Sequence, residues 1–343
     1  MPVKRKRRKS GCLANLLGIL LILILLVAGV VAWALTQPYQ GFEKEVFLDF
    51  GKGTGSSRMA DELSAAAVVR SRWLFLIARA VRPTARLQAG EYRFAEPASV
   101  WTVFDRIVRG DVFYYEVTIK EGADIFELAK TVDRLGFIPG ADILAAARNP
   151  GSIRDLAPDA PSLEGFLFPS TYRLTRRTTA VQLCRQMTDT FRKRWQEAQA
   201  GKPQADVLRA VILASLVEKE TPLPADRGKV ASVYVNRLQK GMKLEADPTT
   251  IYAAELEGRY KGVIHRSDLD SQNPYNTYRH TGLPPGPIAN PGLASLKAAL
   301  APAKTDYLYF VVKPGGEGAS NFSRTLSEHH QHVKEYRRDR AQR

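Results

Sequence analysis

Residues 16–35, LLGILLILILLVAGVVAWAL, are twenty consecutive positions without a charge. At 1.5 Å per residue, a helix of that length reaches roughly 30 Å, the thickness of a bilayer's hydrocarbon core. Six basic residues, KRKRRK at 4–9, precede the run and none directly follows it. That asymmetry holds an N-terminus in the cytoplasm. Trp33 stands where an interfacial aromatic belongs. A cleaved signal peptide competes with this reading, because Ala32-Trp33-Ala34 has the small-x-small form of a cleavage site. The apolar run exceeds the usual length of about 7–15 residues, which favours an uncleaved anchor. The expectation is a basic cytoplasmic tail (1–15), a transmembrane helix (16–35) and a remainder outside the cytoplasm.

This topology reinterprets the net charge of +15. Six of those charges sit in the tail ahead of the apolar run, leaving +9 for the rest. An exported chain with that excess suits an anionic polymer or a membrane surface rather than nucleic acid, ATP or NAD. The two cysteines, Cys12 and Cys184, are too few and too far apart for a disulfide framework or a metal site. Lys9-Ser10-Gly11 before Cys12 makes it a poor lipidation site.

A chain of 343 residues exceeds one compact core, so two or three domains are expected. LDFGKGTGSSRMADEL (48–63) aligns with VTIKEGADIFELAKTV (117–132): each passes from a short alternating run through a glycine, Gly53 or Gly122, into an amphipathic pattern. That is a strand–turn–helix module used twice. GKGTGSS is not a phosphate loop, since Val46 replaces the first glycine of that motif and Gly53 its Ser/Thr. A strand follows the turn in LQAGEYRF (87–94), and helices are predicted over 99–108 and about 180–200. Beyond 200, helices are predicted over about 204–220, then from Asp226 as N-cap to Gly241, from DPTTIYAAEL, and over 293–300. Two short strands and a basic helix close the chain. Residues 271–292, SQNPYNTYRHTGLPPGPIANPG, are too rich in Pro, Gly and Asn for regular structure, and a polar, aromatic loop of that length is usually functional or disordered. The fold class expected is α+β and multidomain.

One apolar stripe of the 207–220 helix runs Val207, Val211, Ala214, Glu218. Burial and the negative end of the helix dipole would both favour the protonated form of a carboxyl there. A carboxylic acid kept protonated near neutrality is what glycosidic cleavage asks of a general acid. The competing reading pairs Glu218 locally with Lys219 or Lys240. Glu220, roughly 200° further round the helix, is expected to be exposed or structural. Asp247 is a candidate for orienting substrate or stabilising positive charge, and equally an N-cap. Tyr275, Asn276, Thr277 and Tyr278 have side chains suited to sugar recognition, against a self-packed loop. Glu164 reads as structural, and His329, His330 and His332 as a solvated face rather than a metal site.

ASLVEKET, KVASVYVNRL, DPTTIY, NPYNTYRHTGLPPGPIANPG, SLKAALAPAKTDYLYFV, FSRTLSEH and LEGFLFPSTY together resemble the endolytic murein transglycosylase family, the YceG-like proteins. The resemblance extends over nearly the whole chain after the anchor. It implies LysM-like modules at 41–110 and 111–160 and a mainly helical catalytic domain with a small β element at 161–343. It also implies an inner-membrane, single-pass protein with a periplasmic catalytic domain. The implied activity is cleavage within nascent peptidoglycan strands at the MurNAc–GlcNAc bond, leaving a 1,6-anhydro-MurNAc end and terminating strand elongation. Glu218 is the catalytic acid and base by the same resemblance, with no cofactor and no metal, and penicillin-binding synthases are the implied partners. A non-catalytic peptidoglycan-binding scaffold for a synthase is the alternative.

Overall fold

A computed structural model describes residues 10–201, 205–316 and 318–342; the basic run at 4–9 lies outside them. The chain divides into two compact units, residues 1–114 and 115–343.

The first unit begins with α1 (Ser10–Thr36), within which Asn15–Thr36 is long and apolar enough to cross a membrane. β1 (Val46–Phe50), α2 (Ser56–Ala65), α3 (Arg72–Val81), β2 (Gly90–Phe94) and α4 (Val100–Arg109) follow. β1 and β2 pair antiparallel with Leu48 opposite Tyr92. The predicted glycine turn is present, with Gly53 at φ 84°, a region open to glycine at little cost. Ser71 and Ser99 cap α3 and α4 by accepting from the backbone N–H of Trp73 and of Thr102. Phe50, Met59, Leu63, Phe75, Tyr92 and Phe104 form the core, joined by Leu35 from the end of α1.

The second unit repeats the order. β3 (Tyr115–Thr118), α5 (Ile125–Asp133), α6 (Gly140–Ala147) and β4 (Thr171–Leu174) again give two strands enclosing two helices. The strands pair antiparallel, Val117 opposite Tyr172. Met59-Ala60 in α2 and Leu128-Ala129 in α5, equivalent in the sequence alignment, are all buried. β4 lies beyond residue 160, so the strand that completes this repeat comes from the segment expected to begin the helical domain.

Helices then dominate: α7 (Ala180–Gln199), α8 (Val207–Glu220), α9 (Pro224–Gln239), α10 (Asp247–Leu256), the single turn α11 (Arg266–Leu269) and α12 (Leu293–Leu300). A hairpin of β5 (Tyr309–Val312) and β6 (Ser320–Ser323) leads into α13 (Leu326–Gln342). α8 is the central element, packing on α9, α10 and α12. Val211, Leu216 and Val217 on it are fully buried, and each such side chain contributes about 1.5–3 kcal/mol by leaving water. Asp206 caps its start, and Thr221 breaks it by turning to extended backbone ahead of Pro222. Asp226 does not cap α9. Pro224 opens that helix after Leu223, and Asp226, in the first turn, accepts from Ser320 N–H at 2.8 Å.

The loop at 271–292 is ordered by its own polar groups. Gly165, at φ 84°, lets the 164–167 turn lie against Pro287, where a Cβ would collide with the proline ring and with Val211. Asn290 Oδ1 accepts from the backbone N–H of Gly165 and of Leu167, both at 2.9 Å, closing the loop on that turn.

Candidate active site

Two carboxylates at the end of α8 face different surroundings. Glu218 continues the buried stripe, as the spacing predicts, and its side chain is 5% exposed. Both its oxygens are already occupied. Oε1 accepts from the Arg227 guanidinium at 3.0 Å and Oε2 from Gly292 N–H at 2.9 Å. The expected local partners, Lys219 and Lys240, are not the ones it takes: Lys219 Nζ donates to Gly122 O at 3.2 Å. Glu121 stands beside the pair, 3.8 Å from Arg227, and burial with the nearby Glu218 pushes its pKa up. Glu218 also lines a groove of about 560 Å³ with Lys120, Lys130, Arg134 and Lys219.

Glu220 occupies the other side of the helix, in the wall of a pocket of about 370 Å³ lined also by Tyr234, Arg237, Asp247, Tyr278 and His329. Of the exposed or structural role expected for it, exposure does not hold, because α9 packs over this face and places Tyr234 against the carboxyl. The Tyr234 phenol donates to Oε1 at 2.9 Å. Burial, with the negative charge of Asp247 adding to it, pushes Glu220 up to about 7, against the lowering pull of Tyr234 and Arg237. Glu220 thus has the raised proton affinity that a general acid near neutrality requires.

Of the residues expected to bind sugar, only Asp247 and Tyr278 share this pocket. Tyr278 O–H donates to Asp247 Oδ1 at 2.6 Å. Asp247 is the first residue of α10 with Ala246 at the cap position, so it does not act as N-cap. Asn276 and Thr277 are fully committed to structure. Asn276 Nδ2 donates to the carbonyls of Leu269 and Ser271 at 3.0 and 2.8 Å, and Thr277 Oγ1 accepts from Ala246 N–H at 3.0 Å. Tyr275 packs its ring 5.1 Å from that of Tyr252, away from Glu220's pocket. The self-packed alternative thus describes three of the four loop residues.

Glu164 is structural, and wholly buried. It accepts from Ile125 N–H at 2.9 Å and from Asn290 Nδ2 at 3.0 Å, and burial pushes its pKa up to about 8.

The comparisons with known proteins bear on what this pocket serves. The YceG-like family model matches residues 48–335, most of the chain. This chain belongs to the YceG-like family. Its relatives include the endolytic murein transglycosylase of Bacillus subtilis strain 168, 32% identical over 323 residues and covering 88% of each chain. The endolytic murein transglycosylase of Streptococcus pneumoniae strain D39 is 25% identical over 324 residues, covering 86% of this chain and 59% of the longer relative. Among solved structures, the yceG-like protein lmo1499 of Listeria monocytogenes superposes with a TM-score of 0.53 at 28% identity, over 84% of this chain and 99% of that one.

Three residues lining the pocket, Tyr234, Arg237 and His329, are given no functional role by the sequence. Arg237 donates to the carbonyls of Leu244 and Leu308, at 2.9 and 2.7 Å, and so ties α9 to the strand and loop that form the pocket's rim. His329 is not on a solvated face: its ring stacks on Tyr309, centroids 5.3 Å apart, and burial lowers its pKa. His332 Nδ1 instead meets Ser323 Oγ at 3.1 Å. Among the described residues, no three His, Cys, Asp or Glu side chains gather as a metal site.

Proposed function

We propose that this protein is a membrane-anchored endolytic transglycosylase of peptidoglycan, and that Glu220 is its general acid and base. The observation that carries the proposal is a carboxyl titrating at about 7 inside a pocket that also presents Asp247 and Tyr278. The family and the names of the relatives supply the substrate class. Glu218, whose oxygens are held by Arg227 and Gly292, is assigned to building α8 against the 292 turn.

The reaction needs one proton carrier. Protonated Glu220 gives its proton to the glycosidic oxygen leaving C1 of the muramoyl sugar. The resulting carboxylate takes the proton from the C6 hydroxyl of the same ring, and O6 closes on C1. The bond lost is C1–O to the next sugar, the bond gained is C1–O6, and Glu220 ends protonated as it began. No water is consumed. Tethering the nucleophile to the reacting ring gives it the high effective concentration of an intramolecular attack, which replaces the second carboxylate of ordinary glycosidases. Asp247, aligned by the Tyr278 phenol, faces the positive charge that develops on the ring.

The remainder of the proposal concerns placement. The two-strand, two-helix repeats are read as LysM-like glycan-holding modules. The basic run at 4–9 favours a cytoplasmic N-terminus, with the catalytic domain on the periplasmic face of the inner membrane. Penicillin-binding synthases are the partner class that the family suggests.

Digestion of sacculi followed by mass spectrometry tests the chemistry, because an anhydro end is lighter than a reducing end by one water. Glu220→Gln is expected to lose about 10²–10⁴-fold in product release while still binding sacculi. Glu218→Gln, assayed below its own melting temperature, keeps activity of the wild-type order. The reverse ranking would return the acid to Glu218, unimpaired release by both variants would mean that neither carboxyl is the acid, and wild type that binds sacculi without releasing anhydro ends would favour the scaffold.

A further inference from the structure

α3 is apolar on more than its core face. Phe75 and Ala78 are buried in the first unit, yet Trp73 and Val81 are 65% and 61% exposed. Ala80 is exposed too, and Leu76 and Ile77 are half-buried at the core's edge, so an apolar stripe at 73, 76/77 and 80/81 is exposed at its two ends and half-exposed between them. Around it stand Arg70, Arg72, Arg79, Arg82 and Arg86, with no acidic residue between 68 and 87. Arg72 and Arg82 find carboxylates only on neighbouring helices, at Asp61 and Asp105.

The position of α3 against α1 says what covers this stripe. α1 packs on α3 and α4, with Leu35 buried in the unit's core and Val31 packed against it. Directly after the span, Tyr39 lies under the Arg70 guanidinium, 4.9 Å from ring centroid to charge, which ties the start of α3 to the exit of α1. Of the apolar run 16–35, the last turn is therefore occupied by the first unit. At 1.5 Å per residue, the stretch from Val31 to Leu35 is about 6 Å of helix. Interfacial helices sink their apolar faces about 5–10 Å into the headgroup–acyl boundary, and arginine with tryptophan is their usual flanking chemistry. Trp33, 60% exposed at the same end of α1, sits at that depth as well.

We propose that α3 is an interfacial helix: its Trp73–Val81 stripe lies in the surface of the bilayer that α1 spans, and its arginines meet anionic lipid headgroups. The proposal rests on the reading of α1 as a membrane span. It adds a second attachment that fixes the rotation of the first unit about the axis of α1. The occupant follows from the apolar stripe and the charge together, since interfacial helices bind through buried apolar area plus attraction to anionic lipid.

The test uses the full chain in nanodiscs, with Cys12→Ser and Cys184→Ala removing the native thiols. A single cysteine is introduced as Val81→Cys or, for comparison, as Arg58→Cys on α2, and labelled with an environment-sensitive fluorophore. On discs containing anionic lipid, the label at 81 is expected to emit at shorter wavelength than the label at 58. It is also expected to lose intensity when the lipids carry a quencher near the headgroup. Exchange for purely zwitterionic lipid should weaken that loss. A label at 81 as wet as the one at 58 overturns the proposal, as does one that is dry but not quenched by lipid, which would mean a protein covers the stripe. Equal quenching on both lipid types overturns the role given to the arginines. A chain that fails to enter discs overturns the span and α3 docking together, which separates that failure from the others.

Discussion

Tyr234 donates its phenolic hydrogen to Glu220 Oε1 at 2.9 Å, from a helix that begins four residues after α8 ends. That hydrogen bond favours the ionised carboxylate, whereas burial favours the acid, and the balance leaves Glu220 at about 7. Below that pH the acid form prevails, so kcat/KM for cleavage should fall tenfold per unit as pH rises above about 7. Tyr234→Phe removes the donor, so the ionised form loses support and the pKa rises. The alkaline limb of the pH–rate profile should accordingly move to higher pH. A limb that stays put or moves down would show that Glu220 does not carry the titration.

Glu218 and Arg227 make a different kind of claim. Their side chains are 5% and 7% exposed, so each is the other's main compensation for leaving water. Arg227→Met leaves a buried carboxylate facing only Gly292 N–H and the already crowded Glu121. Breaking one partner of a buried pair costs about 3–5 kcal/mol, which calorimetry or chemical unfolding would read. Activity per folded molecule should change little, because Glu218 lines a groove other than the one around Glu220 and Arg227 lines neither.

Asn276 and Thr277 separate structural from recognition roles. Asn276 Nδ2 reaches the carbonyls of Leu269 and Ser271, and its Oδ1 accepts from Tyr278 N–H at 3.0 Å. Asn276→Ala should lower stability by about 1–3 kcal/mol for the buried groups left unpaired. Limited proteolysis would then cut first within 271–292. A variant with unchanged stability but a raised KM for glycan would instead reinstate the direct sugar contact expected from the sequence.

The legible part of the chain was set by periodicity and punctuation. α4 (Val100–Arg109) and α7 (Ala180–Gln199) fall within a residue of the predicted 99–108 and 180–200. Both glycine turns lie between a strand and a helix. The site was legible in its segments and not in its side chains. Helical spacing correctly put Glu218 on a buried stripe, but burial alone does not say whether a guanidinium will arrive from nine residues downstream, and Arg227 does. The same spacing put Glu220 on the far face and could not show that α9 covers that face with Tyr234. Asn276 and Tyr278 are chemically alike in their fitness for sugars. Only the path of the loop decides that one turns inward to hold carbonyls and the other reaches Asp247.

Glu164 predicts how stability depends on pH. Its pKa is raised from the ordinary carboxyl range to about 8 by complete burial, with the nearby Asp124 adding to it. Between pH 4.5 and 8 the folded state therefore holds a proton that the unfolded chain has released. Stability falls with rising pH wherever the folded state binds more protons. This group's contribution is thus complete below about 4.5 and lost as pH climbs through about 8. Glu164→Gln cannot ionise, so its unfolding free energy should lose that part of the pH slope. The amide would still cost about 1–3 kcal/mol at acidic pH, since its NH₂ must face either Ile125 N–H or the Asn290 amide, both donors. Denaturant unfolding from pH 5 to 8.5 measures both effects. The two curves should converge toward alkaline pH, where wild type bears a buried charge that the variant lacks. Parallel curves over the whole range would mean that Glu164 is already ionised in the folded protein, held by a counter-charge and not by its proton.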